Sequence, residues 1–344
     1  MAVLFKFQIV FVLLGMNIQN ISLLLNIPLL LIGFFLLNRG SGMLVDGATS
    51  IARRLKLPES MISFTVVAFG TSLPKTITVL IAAYNGYFDL VIGTIIGSCI
   101  FNLLGILSIT GFFRPIRANK NTATIGILSL VASAFLLFFI ANKTLFAAQT
   151  SVLLISKAEA VLLLIAFVLF MTYGYFNVKK HHTIWFDETN EEPSFYAVWF
   201  SVILIIAGII GLIAGSVLVV DNLIDISRKF DLSQRFLGQF ILSLGGSFVM
   251  LYWMMMTKSN QSKFEVSNLV GQNMLNILGM LGIAAFIQPI QYNPAFNLDI
   301  FILIGISLLI MGMLWMGRKL TLNLWKCRFL FLLLLLYVLY LFVR

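Results

Sequence analysis

Two polar stretches interrupt apolar segments that are each long enough to cross a membrane. Ala68–Lys75 puts glycine, two hydroxyl residues, a proline and a lysine inside one span, and Gly97–Asn102 does the same with small and polar residues in the next. Proline removes one backbone hydrogen bond and frees a carbonyl, which lipid tolerates only where protein or a watery cavity satisfies it. Freed carbonyls, hydroxyls and amides are neutral oxygen ligands, so the pattern predicts two broken helices that meet at a midplane ion site. Simple glycine kinks between packed helices are the alternative explanation.

The composition is that of a helical membrane protein. The chain has 344 residues, 60% of them hydrophobic and 10% charged, with a mean hydropathy of +1.03. Apolar runs of about 20 residues recur, and a helix of that length spans a bilayer. We therefore expect an all-α polytopic protein whose transmembrane helices 1 to 10 lie at approximately 26–55, 60–83, 88–113, 123–141, 152–176, 195–227, 235–256, 264–287, 298–316 and 324–343.

Several function classes are excluded by the same residues. We find no nucleophile–base arrangement, phosphate-cradling loop or zinc spacing, so the chain is predicted not to be an enzyme and to need no cofactor. Cys99 and Cys327 lie far apart in apolar surroundings and form no disulfide framework or metal spacing. The net charge of +10 comes from short loops that orient a membrane protein, so nucleic acid is not an expected partner.

The loop charges predict the orientation. The loops after helices 1, 3, 5, 7 and 9 hold 14 lysines and arginines, whereas the others hold four, Lys143, Arg228, Lys229 and Arg235. The first set is therefore predicted to be cytoplasmic, in what we expect to be a bacterial inner membrane. Residues 1–25 are interpreted as an N-terminal leader, with an extra inserted helix or a cleaved signal as alternatives.

The chain also contains an internal repeat. A shift of 175 residues superposes unusual residues of helices 1 and 2 on helices 6 and 7, and a shift of 174 does so for helices 3 and 8. The pairs include Gly33 with Gly208, Gly40 with Gly215, Ser41 with Ser216, Asp46 with Asp221, Arg53 with Arg228, Gly70 with Gly245, Ser72 with Ser247, Gly97 with Gly271 and Asn102 with Asn276. An odd number of helices inverts the second copy. We predict inverted five-helix repeats at 26–176 and 195–344, joined by a hydrophilic cytoplasmic loop at 177–194, with helices 2, 3, 7 and 8 central.

On these motifs the chain resembles the sodium/calcium exchanger family, within the calcium/cation antiporter superfamily. The family hallmark is G-T-S-L-P-E followed by G-S-N-x-x-N in each of two inverted repeats. Here Gly70–Lys75 reads G-T-S-L-P-K and Gly97–Asn102 reads G-S-C-I-F-N, whereas the second repeat reads G-G-S-F-V-M at Gly245–Met250 and G-Q-N-M-L-N at Gly271–Asn276. The resemblance implies a secondary-active antiporter that moves a small inorganic cation, such as sodium, protons or calcium, by alternating access in the lipid bilayer.

The resemblance also implies a set of ion- or substrate-binding positions. They are Thr71, Ser72, Lys75, Ser98, Asn102, Gly246, Ser247, Met250, Gln272 and Asn276. In the family each repeat supplies a glutamate after its proline, and the pair is similar to the core of a calcium site. Lys75 and Met250 stand in those places here. Calcium takes roughly 6–8 oxygen ligands with carboxylates among them, so calcium is the less expected ion and altered selectivity is predicted.

Lys75 supports three hypotheses, because a lysine near the bilayer centre is costly and usually has a partner or a purpose. In the first hypothesis, its ammonium occupies the cation site in place of an ion and is held by Asn102, Asn276, Ser72 and carbonyls. In the second, it acts as a proton carrier or binds an anionic substrate. In the third, it extends to the membrane interface and has no function. The first hypothesis predicts a hydrogen bond from Lys75 to Asn102 or Asn276.

Other acidic residues could replace the missing pair, although most lie near predicted helix ends. They are Asp46, Asp221, Asp225, Glu159, Glu265 and Asp299. His181 and His182 stand beside four acidic residues in the hydrophilic loop, where a solvated connector is a simpler interpretation than metal sensing. Two further functions stay open: a transport-inactive relative with a structural or regulatory role, and a transporter recruited to an anion or small zwitterion through Lys75.

Overall fold

The computed structural model describes residues 18–55, 68–118, 120, 122–143, 153–181, 196–247, 251, 265–316 and 320–343. Only the backbone is described at 18–24, 68–69, 71, 122, 175–181 and 265. The described chain is predominantly helical, as its composition predicts. Residues 1–17 of the predicted leader, residues 182–194 of the predicted loop, and Met250 lie outside the described residues.

The helices are numbered α1 to α10 and correspond to the ten predicted segments. Their bounds are α1 Ile18–Arg54, α2 Ala68–Tyr84, α3 Phe88–Phe113, α4 Ile127–Ala141, α5 Lys157–His181, α6 Val198–Phe230, α7 Gln234–Leu237, α8 Glu265–Met274, α9 Asn297–Trp315 and α10 Leu324–Val343. Four π-helical turns lie in α3 at Asn102–Ile106, before α4 at Thr122–Gly126, and after the bounds just given for α7 and α8 at Gly238–Leu242 and Leu275–Met280. From these turns α7 continues to residue 247 and α8 continues through Leu281–Ile287.

The membrane-spanning character of the helices follows from their length and composition. Within the described chain, all of them except α2 and α7 are long and apolar enough to cross a bilayer, which gives eight candidate spans. The described parts of α2 and α7 are shorter, so the predicted count of ten remains a prediction. The chain is a multi-pass integral membrane protein.

The first helix begins earlier than the sequence predicts. α1 starts at Ile18 rather than near Asn26, so residues 18–25 of the predicted leader are helical. The polar residues Gln19 and Asn20 do not interrupt this helix. A helix satisfies its backbone hydrogen bonds internally wherever it lies. A few polar residues at its end therefore mark a change of surroundings rather than the end of the helix.

Two short antiparallel sheets were not predicted. β1, Ile116–Arg117, pairs with β4, Thr321–Leu322, and β2, Leu154–Ile155, pairs with β3, Ile290–Gln291. β1 and β3 follow α3 and α8, whereas β2 and β4 precede α5 and α10, so the sheets are equivalent under the internal repeat. Because β2 occupies its predicted start, α5 begins later than residue 152, and it continues to residue 181 inside the predicted loop.

The predicted breaks in α2 and α3 are corrected by the structure. α2 continues as a helix through Pro74, and the polar stretch of α3 remains helical up to the π turn that starts at Asn102. Proline removes only the hydrogen bond to the carbonyl four residues earlier, which in α2 is that of Gly70. The Ser41 hydroxyl of α1 donates a hydrogen bond of 2.7 Å to that oxygen. A side chain from another helix therefore replaces the lost bond, and the helix does not open.

The two longest helices, α1 and α6, pack against each other through glycines. A Cβ atom added at Gly40 would lie 2.8 Å from the carbonyl oxygen of Gly208, and one added at Gly215 would lie 2.8 Å from that of Gly33. The repeat pairs Gly33 with Gly208 and Gly40 with Gly215, so these contacts are equivalent. Seven residues make about two helical turns, and this spacing keeps the glycines on one face. Small residues let membrane helices approach closely.

Candidate functional site

α3 and α7 cross at the centre of the molecule with their backbones in contact. A Cβ atom added at Gly97 would lie 2.6 Å from the carbonyl oxygen of Gln239, and one added at Gly238 would lie 2.6 Å from that of Leu90. Residues 90–101 of α3 are all buried, so this helix forms the core of the bundle. Polar residues at this crossing are therefore surrounded by protein rather than by lipid.

Five side chains from α3, α7 and α8 form a hydrogen-bonded network at this crossing. The Asn102 amide donates to the Asn273 side-chain oxygen at 2.8 Å, and the Ser247 hydroxyl donates to the Asn102 oxygen at 3.0 Å. The Asn273 amide donates to the Cys99 carbonyl at 3.2 Å. The Asn276 amide lies 3.8 Å from the Cys99 sulfur. All five residues are buried, so the network bonds α3 to both α7 and α8.

The network follows the internal repeat. A shift of 174 pairs Asn102 with Asn276 and Cys99 with Asn273. Asn102 donates to the side chain of Asn273 in the second repeat. Its repeat equivalent, Asn276, donates to the side chain of Cys99 in the first repeat. The thiol stands where the second repeat has an amide, and sulfur is a weak hydrogen-bond acceptor. One of the two equivalent bonds is therefore shorter than the other, at 2.8 Å against 3.8 Å.

Lys75 belongs to α2, and its side chain extends toward α7. A Cβ atom added at Gly246 would lie 2.4 Å from the Lys75 Cε atom and 3.3 Å from its Nζ atom. The missing side chain of Gly246 therefore gives the lysine its room. The predicted hydrogen bond to Asn102 or Asn276 is not present. The Asn102 oxygen accepts from Ser247, the buried Asn276 oxygen has no partner among the described residues, and within those residues Lys75 has no hydrogen bond.

The remaining predicted positions are distributed around this cluster. Ser72 is buried on α2, and the hydroxyl of Ser98 on α3 is fully buried and has no hydrogen-bond partner among the residues described. Gln272 on α8 is partly buried. Only the backbone of Thr71 is described, and Met250 lies outside the described residues, so the structure places neither side chain.

The acidic residues considered as replacements lie elsewhere. Asp46, Asp221 and Asp225 are exposed on the two long helices. Glu159 forms an ion pair with Lys143, and Asp299 is buried in the first turn of α9. In the part of the chain that the structure describes, no group of three or more histidine, cysteine, aspartate or glutamate side chains could hold a metal ion.

The two halves of the site differ in exposure. We call the helix ends joined by the lysine- and arginine-rich loops the basic face, and the other ends the opposite face. Gly97 and Ser98, in the opposite-face half, are buried, whereas their repeat equivalents Gly271 and Gln272, in the basic-face half, are partly exposed. No described atom lies within 4 Å of a Cβ atom added at Gly271. Burial at these equivalent positions therefore differs between the two halves of the site.

Sequence reasoning missed two residues of the network, Asn273 and Cys99. Both lie inside the motif stretches at Gly97–Asn102 and Gly271–Asn276, and each is the repeat equivalent of the other. The repeat offset alone could have paired them, because two inverted copies meet at equivalent positions.

The chain matches the family model of the sodium/calcium exchanger protein over residues 25–176 and 200–343. The chain belongs to the sodium/calcium exchanger family. It is 30% identical to the uncharacterized membrane protein MJ0091 of Methanocaldococcus jannaschii, over 84% of this chain and 89% of that one. It is 26% identical to the inner membrane protein YrbG of Escherichia coli, over 85% of this chain and 90% of the relative.

Solved structures of the sodium-calcium exchanger NCX_Mj share the fold. One, from a crystal soaked with sodium and strontium, superposes with a TM-score of 0.58 at 26% identity, over 92% of this chain and 98% of that chain. The predicted family and the predicted polytopic helical exchanger fold are therefore confirmed. As a member of this family, the chain is a cation antiporter-like membrane protein.

Proposed function

We propose that this chain is a secondary-active antiporter that moves a small monovalent cation by alternating access, and that its selectivity differs from that of calcium exchangers. The observation that supports this proposal most directly is the composition of the central cluster. Asn102, Asn273, Asn276 and Ser247 supply amides and a hydroxyl, Cys99 supplies a thiol, and Lys75 lies next to Gly246 on α7.

This set of groups disfavours divalent cations. Calcium binding uses carboxylates that offset the charge of the ion, whereas the described cluster holds none. A unit positive charge at about 4 Å repels another by about 4 kcal/mol at an effective dielectric constant near 20, and a doubly charged ion doubles that repulsion. Because Lys75 and Met250 replace the acidic ligands that the motif resemblance implies, we infer that this site excludes calcium.

The difference in exposure supports alternating access. Two inverted repeats can exchange conformations, and the exchange would open the half that is closed. Gly97 and Ser98 are buried here, whereas Gly271 and Gln272 are partly exposed. We propose that the conformation described here is the one open to the basic face.

A transport-inactive relative with a structural or regulatory role is the second candidate. The side chains that would have to release one another to hold an ion are bonded together: Asn102 uses both its donor and its acceptor within the network. Buried polar groups that satisfy each other rigidify a core. In this case the site is a permanent cross-link between the repeats.

The two candidates separate in liposomes. Purified protein would be reconstituted, and uptake of calcium, sodium, potassium and protons driven by opposing gradients would be measured in parallel. The antiporter predicts exchange of a monovalent cation and no calcium uptake, whereas no exchange of any ion supports the inactive relative. Calcium uptake by the unmodified protein would contradict the proposed selectivity.

A double substitution tests the origin of that selectivity. Lys75→Glu with Met250→Glu removes the ammonium and restores a carboxylate pair, so calcium binding should rise from undetectable to measurable by calorimetry. Lys75→Gln with Met250→Gln is the matched control, because it removes the ammonium without adding charge. Tight calcium binding by the control would show that Lys75 alone, and not the missing carboxylates, excludes the ion.

A further inference from the structure

The carbonyl that Pro74 frees has a partner outside its own helix. The Ser41 hydroxyl of α1 donates to the Gly70 oxygen at 2.7 Å, and both groups are buried. The helices are in direct contact here, because a Cβ atom added at Gly70 would lie 2.1 Å from the Val45 Cγ2 atom. Hydrogen bonds from a hydroxyl to an oxygen have donor–acceptor distances of about 2.5–3.0 Å and weaken steeply when they are bent. Any shift of α1 along α2 by more than a fraction of a helical turn would therefore leave a buried carbonyl unpaired.

The repeat equivalent of Ser41 makes a different bond. Ser216 on α6 lies 3.2 Å from the Thr78 hydroxyl, which is already bonded to the Pro74 carbonyl at 2.8 Å. The position equivalent to Pro74 is Val249, which keeps its backbone N–H. The long helices therefore contact α2 unequally: Ser41 replaces a missing backbone bond, whereas the bond of Ser216 joins two hydroxyl groups.

We propose that Ser41 is a latch that holds α1 on α2 in the conformation described here, with the opposite-face half of the site closed. This inference rests on the proposed alternating access and adds to it the residue that biases the two conformations. The bias arises because Pro74 leaves the Gly70 carbonyl of α2 without a partner in its own helix. The Ser41 hydroxyl bonds to this carbonyl in the conformation described here and would not reach it in the alternative one. The described part of the second repeat shows no equivalent bond, so the equilibrium between the two conformations is unequal.

Cys99 provides a reporter for this equilibrium that does not depend on transport. It is fully buried at the centre of the network, and Cys327→Ala would leave it as the sole cysteine of a chain that has two. Its modification by a charged, membrane-impermeant methanethiosulfonate would be timed in right-side-out and inside-out vesicles. The ratio of the two rates reports which half of the site is open.

Ser41→Ala should shift that ratio toward the opposite face by about tenfold, which is what an unpaired buried hydrogen-bonding group typically changes. Ser216→Ala is the matched control and should shift it by less than about twofold, because no backbone carbonyl loses its partner. Pro74→Ala gives Gly70 a partner within α2. In that background Ser41→Ala should have almost no further effect.

The outcomes are distinct. Equal ratios for Ser41→Ala and Ser216→Ala would overturn the latch, and so would a full Ser41→Ala effect in the Pro74→Ala background. If Ser41→Ala alone does not fold, recovery of folded protein by the added Pro74→Ala supports the capping role, and failure of both overturns it. Absence of transport in liposomes would refute the proposed function without changing these ratios, because labelling requires no substrate.

Discussion

The contact between α1 and α6 and the crossing of α3 with α7 and α8 are both tight, but only the crossing adds a network of side-chain hydrogen bonds. The long helices meet through glycines, with Gly40 against Gly208 and Gly215 against Gly33. The central helices also meet through glycines where α3 crosses α7, and they are joined further by side-chain hydrogen bonds centred on Asn102 and Asn273. A glycine contact fixes how closely two helices lie, whereas each hydrogen bond also requires one particular partner.

The same contrast extends to the periphery of the core. Asn142 and Asn297 exchange two hydrogen bonds of 2.8 Å between the end of α4 and the start of α9. β1 pairs with β4 and β2 pairs with β3, which joins the two repeats at both ends. The core helices are thus cross-linked at several levels, while Ser41 and Ser216 supply buried polar bonds from the long helices to α2. We infer that the cross-linked core helices move together as one rigid unit.

The largest effect should come from adding a large side chain at the glycine contact between α1 and α6. Gly40→Leu would place a side chain where even a Cβ atom lies 2.8 Å from the Gly208 oxygen and 2.9 Å from the Leu212 nitrogen. Backbone cannot yield as a flexible side chain does, so the long helices would have to separate. We expect little or no folded protein, measured by size-exclusion chromatography of detergent extracts.

Gly42→Leu is the control for that substitution. Gly42 is exposed on the same helix, and no described atom lies within 4 Å of a Cβ atom added there. It should yield folded protein at the wild-type level. Equal yields of the Gly40 and Gly42 variants would show that α1 and α6 do not pack as described.

A smaller effect is expected from removing one member of the polar network. Asn273→Ala deletes the acceptor of Asn102 and the donor to the Cys99 carbonyl. Side-chain hydrogen bonds between membrane helices contribute about 0.6 kcal/mol on average and up to about 1.7, and unpaired buried groups add to the loss. We expect a destabilisation of about 1–3 kcal/mol, seen as a lower midpoint of thermal unfolding.

Asn268→Ala provides the comparison on the same helix, since Asn268 is partly exposed and lies outside the network. Its unfolding midpoint should stay close to that of the wild type. If the two variants unfold alike, the network contributes nothing to the stability of the core, and the contrast with the glycine contact is lost.

The sequence predicts the helices well where apolar runs end at clear polar residues. α3 and α10 have the predicted bounds, and glycine pairs such as Gly40 with Gly215 identified the repeat. It fails where a tertiary partner decides. Pro74 predicts a break, but the Ser41 hydroxyl from another helix replaces the lost bond, so α2 continues. Nothing local to Pro74 indicates that partner.

The candidate site shows the same limit. The motif positions Asn102, Ser247 and Asn276 do come together in one network. That Asn102 bonds to Asn273, rather than to Lys75, depends on how two helices cross, and a linear motif does not encode the crossing. The two-strand sheets were missed for a related reason, because two residues give too short a pattern to recognise.

The smallest predicted effect makes the core more symmetric. Cys99→Asn would put an amide where the second repeat has Asn273, in the place where the Asn276 amide now lies 3.8 Å from sulfur. An amide oxygen is a better acceptor than a thiol, and the equivalent bond in the other half is 2.8 Å long. The variant should gain about 0.5–1.5 kcal/mol of stability, the usual net value of one hydrogen bond, measured as a higher midpoint of thermal unfolding. Cys99→Ser is the control, because its shorter side chain removes the sulfur without reaching as far. A midpoint for Cys99→Asn at or below that of Cys99→Ser would mean that the thiol fits this crossing better than an amide, and that the two halves of the core have diverged beyond the one residue.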